Sequence, residues 1–191
     1  MASSFLSEPE PTVAIEALYA ADRERLGFVM NLSRMWAHQP EAHDILFDLV
    51  DDMAGAAGLS FRDRGLLISA AASSMGDSYC SLAWGNRLAG ASDGSIAAGV
   101  LTGDDHALDD RERALTRWAR QVARDPNGTT ATDVEALRDV GYDDGQVQAI
   151  TTFVALRLAF STVNDALGAV PDDELSASVD PQVRRAVTWG R

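Results

Sequence analysis

A single cysteine stands in the sequence, Cys80, one helical turn after Asp77 in the run Gly76-Asp77-Ser78-Tyr79-Cys80-Ser81-Leu82-Ala83-Trp84. A thiol in the first turn of a helix is a candidate nucleophile. The helix N-terminus favours the thiolate, and peroxide oxidises a thiolate to a sulfenic acid. Asp77 works against this, because a carboxylate three residues earlier on the same face disfavours a second negative charge. The competing reading is that Cys80 is a small buried hydrophobe, a common fate of free cysteine. Asp77 also has two readings. It could serve as an acid/base, or as an N-cap whose side chain accepts from the backbone N–H of Tyr79 or Cys80; Gly76 before it favours the cap. One carboxylate can do both. Tyr79 could donate a hydrogen bond or simply pack. Arg157 lies in the most apolar stretch of the chain. Facing inward it needs a carboxylate, Asp77 or Asp165, or an anionic ligand, since an unpaired buried charge is costly. Facing outward it is a surface arginine.

Absences narrow the chemistry further. The chain has no lysine; all 16 basic residues are arginine. That excludes Schiff-base catalysis, pyridoxal phosphate attachment and the P-loop lysine. One cysteine forms no intrachain disulfide or CxxC pair. His38 and His43 flank a helix start and read as structural, and His106 sits among acids in a loop. None has metal-binding spacing, so neither metal nor cofactor is expected.

The elements that must position these groups are helical almost throughout. Val13 to Phe28 carries Ile15, Leu18, Tyr19 and Leu26 near the 3.6 period. A loop over Asn31 to Gln39 leads to Pro40, which suits the first position of a helix to about Ala57. That helix should bury Ile45, Leu46, Leu49, Val50 and Met53. Ser60 with Asp63 predicts a capping box for the next helix, which Gly76 ends. Asp77 opens a helix through Leu88, and a short helix follows at Ser95 to Leu101. Asp109 to Arg124 is amphipathic, with Leu115, Trp118, Ala119 and Val122 inward. Asp125-Pro126-Asn127-Gly128 is a turn, and Thr132 with Glu135 suggests a capping box before a short helix ending at Gly141. The longest helix, Asp144 to Leu167, is nearly all apolar from Ile150 to Phe160. Val170 to Arg191 reads as an extended arm with a short helix at Pro181 to Val187. No period-2 strand pattern appears.

The chain has 191 residues and a net charge of −13, ample for one core and unsuited to nucleic acid. No apolar run reaches the roughly 18 residues of a membrane span. Met1 to Thr12 lacks the layout of a signal peptide, so the expected location is the cytoplasm.

Beyond these local readings, the layout resembles the carboxymuconolactone decarboxylase / alkylhydroperoxidase D-like superfamily over about residues 13–170, and within it the peroxidase-related branch. Trp36-Ala37-His38-Gln39-Pro40-Glu41 is similar to that family's His-x-Pro entry into its second helix. Ser60 to Gly90 resembles its core helical hairpin. The second half carries the Trp-Ala-Arg helix, the Asp-Pro turn, the short helix ending in Gly-Tyr and the long helix ending Asp-Ala-Leu-Gly. The resemblance implies an all-α, alkylhydroperoxidase D-like helical bundle between a flexible N-terminus (1–12) and a C-terminal extended arm (171–191). It also implies a homo-oligomer, a dimer, trimer or hexamer; the apolar helix Asp144 to Leu167 and the tail Val170 to Arg191, with exposed-looking Val187 and Trp189, read as its interface elements.

The family's redox members use a glutamate, two cysteines and a histidine. Here the first cysteine position is Asp77, the second is Cys80, the histidine position is Trp84 and the glutamate position is Gly65. The intrachain disulfide cycle is therefore impossible. Trp84 cannot act as a base, and its bulk should shrink the pocket. Three functions follow: a one-cysteine peroxidase, antioxidant in role, in which Cys80 attacks a peroxide and an external thiol resolves it; a non-redox decarboxylase-like enzyme anchoring a small carboxylated ring on Arg157; or a scaffold or ligand-binding protein. The first is what the resemblance implies. Cys80 and Asp77 are its candidate catalytic groups, and Gly65, Tyr79, Trp84 and Arg157 its candidate pocket.

Overall fold

The computed structural model describes residues 3–191, and among them every regular element is helical. The helix α4 (Phe61–Met75) forms the centre, with Leu66, Leu67 and Ala70 fully enclosed. Its small residues Ala70, Ala71 and Ala72 let neighbours approach closely. Around it pack α5 (Ser78–Ala91), α6 (Gly94–Thr102), α7 (Asp110–Arg124) and α9 (Asp144–Ala166), while α8 (Ala131–Asp139) bridges α7 and α9. As the apolar pattern predicts, Leu115, Trp118, Ala119 and Val122 of α7 face the core.

The first turns of α4 and α7 lie side by side and are cross-linked. In each, the third helical residue closes a capping box: Asp63 accepts from Ser60 N at 2.9 Å, and Glu112 from Asp109 N at 3.2 Å. Each of these acids also takes an arginine from the other helix. Arg111 donates twice to Asp63, at 2.8 and 3.1 Å, and Arg62 donates to Glu112 at 2.5 and 3.2 Å.

On the other side of the core, α1 (Val13–Leu26), α2 (Asn31–Trp36) and α3 (Pro40–Ala56) form an outer layer against α9 and α5. Helix α2 replaces the loop expected at Asn31 to Gln39. Its first N–H, from Asn31, donates to the carboxylate of Asp172 at 2.7 Å. The cap comes from a residue remote in sequence, so no local motif announces it. The face of α3 also differs from expectation. Val50 and Ala54 are buried, but Ile45 and Leu49 are 68% and 41% exposed. The apolar stripe is wider than the core it meets. The capping box of α8 is Thr130 with Asp133 rather than Thr132 with Glu135.

The C-terminal residues run back over α5 and α6, through α10 (Asp173–Ser178) and α11 (Pro181–Ala186). Val183 is fully buried over Gly85, where an added Cβ would lie 2.8 Å from Val183 and 2.9 Å from Leu101. Only glycine allows that approach. Val187 and Trp189, expected on the surface, instead pack half-buried against the core. The N-terminal segment is tied to the same end of the molecule as α9, with Phe5 N donating to Leu167 O at 2.9 Å and Val170 N to Ser3 O at 3.2 Å. Among the described residues no helix is long and apolar enough to cross a membrane.

Candidate functional site

Helix α4 ends at Gly76, which adopts a left-handed conformation at φ 77°, and Asp77 N returns to Ala72 O at 3.0 Å. The tight reversal delivers Asp77 as the N-cap of α5. Its Oδ1 accepts from Cys80 N at 2.9 Å. Its Oδ2 is buried and has no hydrogen-bond partner among the described residues. Cys80 is thus fixed in the first turn, 2% exposed.

Cys80 lines a cavity of about 740 Å³ between the outer layer and the α4–α5–α9 core. Aromatic side chains make one wall, where Phe47 meets Phe160 edge-on at 5.0 Å; Trp36, outside the lining, stacks on Phe160 at 5.4 Å. Phe61 and Trp84 lie 6.0 Å apart on the other side. Trp36 is held by a 2.9 Å hydrogen bond from Nε1 to Asn164 Oδ1.

Arg157 projects from α9 into this wall and is 4% exposed. Its Cζ lies 5.0 Å from the Phe160 ring centroid, 5.5 Å from Phe47 and 5.7 Å from Trp84. Its Nη2 is 3.7 Å from Cys80 Sγ, and its buried Nε has no partner among the described residues. The expected carboxylate partner is absent: neither Asp77 nor Asp165 reaches it among the described residues. Three aromatic faces and a sulfur surround this cation instead.

Burial pushes the Cys80 thiol up to about 12, with the Asp77 carboxylate acting in the same direction. Arg157 and the Ser161 hydroxyl oppose the rise and lose to desolvation. The helix N-terminus does not deliver a low-pKa thiol here. Tyr79 is 1% exposed and its hydroxyl donates to Asp172, whose carboxyl burial raises.

No protein-family model matches the chain, and no curated protein matches it. Solved structures do. The alkylhydroperoxidase AhpD core of an uncharacterized peroxidase-related protein from Ralstonia eutropha JMP134 superposes with a TM-score of 0.80 at 23% identity, over 91% of this chain and 94% of that one. An uncharacterized peroxidase-related protein from Silicibacter sp. TM1040 gives 0.81 at 21% identity, over 92% and 95%. The fold is alkylhydroperoxidase D-like. The debrominase Bmp8 is also similar, with a TM-score of 0.75 at 14% identity over 95% and 97%.

On this alkylhydroperoxidase D-like frame the expected residues divide clearly. Cys80, Tyr79, Trp84 and Arg157 line one cavity, with Asp77 directly behind Cys80. Trp84 stands half-buried as part of the wall of this cavity. Gly65 is not a lining residue. It is the point where α4 touches Leu88, 3.3 Å from where its Cβ would be. Sequence reasoning missed Arg87, whose Cζ sits 4.7 Å over the Trp84 ring. Its position one turn after Trp84, in a helix whose first turn holds the cysteine, is the signal that could have found it. His43 was read as structural. It lines the cavity at 4.7 Å from Phe47 and pairs with Asp44 at 3.1 Å. His38 bonds Ser7 O at 2.8 Å, and His106 is fully exposed. Among the described residues no cluster of three His, Cys, Asp or Glu could hold a metal.

Proposed function

We propose that this protein is a one-cysteine oxidoreductase that reduces an organic hydroperoxide bound in the cavity. The observation that carries this reading is Cys80 in the wall of a cavity of about 740 Å³, with Arg157 Nη2 at 3.7 Å from its sulfur. The aromatic walls suit a substrate with an apolar body better than hydrogen peroxide. In the first half-reaction the Cys80 sulfur attacks the terminal peroxide oxygen and the O–O bond breaks. The thiol proton goes to the departing alkoxide, which leaves as an alcohol, and Cys80 becomes a sulfenic acid. Arg157, beside the sulfur, stabilises the thiolate that attacks. An external thiol then displaces water to give a mixed disulfide, and a second thiol releases Cys80.

The test is to treat the native protein with cumene hydroperoxide and follow sulfenic acid by mass spectrometry, with Cys80→Ser as control. Because the resting thiol is protonated at neutral pH, oxidation should accelerate as pH rises. A thiol that stays inert from pH 7 to pH 10 sinks the peroxidase reading. That outcome leaves a non-redox enzyme or ligand-binding protein, which the high thiol pKa and the unpaired Arg157 favour. A similar fold in the debrominase Bmp8, as a cysteine-to-alanine variant, is known in complex with 2,3,4-tribromopyrrole. It supports an aromatic occupant for the cavity under either reading.

A further inference from the structure

Four arginines reach the cavity, and they fall into two kinds. Arg25 and Arg64 are neutralised by Asp22 at 3.2 Å and Asp51 at 2.8 Å. Arg87 and Arg157 have no carboxylate within ion-pair distance among the described residues, although the chain carries 29 acids. Both guanidinium groups rest on one ring, with Cζ at 4.7 Å and 5.7 Å from the Trp84 centroid. Desolvation first, then the neighbouring cations Arg25 and Arg157, bring Arg87 down to about 10. Cys80, being protonated, supplies no counter-charge. A buried cation such as Arg157, with half-buried Arg87 beside it, is expensive to keep without an anion unless the anion arrives from outside.

We infer that Arg87 and Arg157 seat the carboxylate of an aromatic acid whose ring lies among Phe47, Phe61, Trp84 and Phe160. The planar guanidinium fork matches a carboxylate, and the apolar walls match one or two aromatic rings. An inorganic anion would leave most of the 740 Å³ empty. The assignment rests on the reading of the cavity as a substrate site and does not require Cys80 to react.

Calorimetric titration at pH 7 with benzoate, 1-naphthoate, neutral 1-naphthamide and acetate tests it. At least one aromatic carboxylate should bind with a dissociation constant below about 1 mM, and 1-naphthamide about 10- to 100-fold more weakly than 1-naphthoate, the range of a charge-assisted hydrogen bond. Acetate should bind more weakly than either aromatic acid. Arg87→Met and Arg157→Met should each lose a similar factor for the acid and clearly less for the amide, so that the preference for the acid shrinks. Cys80→Ser should bind the acid like the wild type. Equal affinity for acid and amide, acetate matching the aromatic acids, or no binding of either aromatic acid overturns the assignment. The wild-type comparisons need no variant to fold. Acid binding in a protein inert to hydroperoxide keeps this site and discards the peroxidase. Hydroperoxide reduction without preference for the acid does the reverse.

Discussion

Replacing Arg157 by methionine should leave the ligand-free protein as stable as the wild type, or make it more stable. The guanidinium is 4% exposed and has no carboxylate partner. Its desolvation costs several kcal/mol in a real protein. Contacts with three rings at 5.0, 5.5 and 5.7 Å return about 1 kcal/mol each. These terms nearly cancel, and methionine preserves much of the apolar contact of the arginine stem. The expected change therefore runs from zero to about 2 kcal/mol of added stability. For a chain of this size that is a rise in Tm of up to roughly 6 °C. Arg120→Met is the contrast. Arg120 donates to Asp105 at 2.5 and 2.8 Å and to Val100 O at 2.9 Å, and its loss strands a half-buried carboxylate. It should cost about 2–3 kcal/mol. Urea unfolding of all three proteins, with m-values compared, makes the measurement. If Arg157→Met loses more than about 1 kcal/mol, the guanidinium is a structural strut for the aromatic wall and the reasoning from an unpaired charge fails.

Asp77→Asn should keep the cap of α5, since asparagine caps as well as aspartate, while removing the charge that raises the Cys80 thiol; iodoacetamide alkylation at pH 8 should quicken about tenfold or more. Asp165 is raised to about 6, mainly by burial and secondarily by Asp77, against Arg191. Its folded pKa lies above its unfolded one, so the stability it contributes is full below about pH 4 and is lost as pH rises through about 6. Asp165→Asn should therefore match the wild type near pH 4 and exceed it by roughly 1 kcal/mol near pH 8, screening at this partly exposed carboxyl keeping the gain small. Tyr79→Phe should lower stability in urea by about 1–2 kcal/mol, because Asp172 then keeps only the Asn31 N–H.

How far the sequence announces this molecule depends on how local each determinant is. Asp77 as the cap of α5, Ser60 with Asp63 at α4 and the inward face of α7 are set within one helical turn, and each is where the sequence puts it. Helix α2 depends on Asp172, far along the chain, and reads as a loop until the fold is known. Ile45 and Leu49 satisfy the helical period but stay exposed, because periodicity records apolar spacing and not what lies opposite. The inward face of Arg157 is visible only as a charge in an apolar run. Its aromatic surroundings come from α3 and α5 as well as its own helix, and no spacing rule connects Phe47, Trp84 and Phe160. The pKa of Cys80 settles a question that the helix end and Asp77 leave open in the sequence. The helix terminus is local and legible, while the desolvation that overrides it is a property of the finished core.

The crossed arrangement at the starts of α4 and α7 bears on how this sequence can drift. Asp63 and Glu112 each hold a cap on one helix and an arginine of the other, so neither acid is free to exchange with its partner's charge. Swapping Arg62 and Glu112 restores that ion pair but strips the cap from α7. Swapping Arg111 and Asp63 does the same to α4. The usual compensating path for a salt bridge, one reversal followed by its mirror, is closed at both pairs. Among divergent relatives these four positions should stay fixed or change as a block, and single substitutions there should be much rarer than at the exposed pairs elsewhere on the surface.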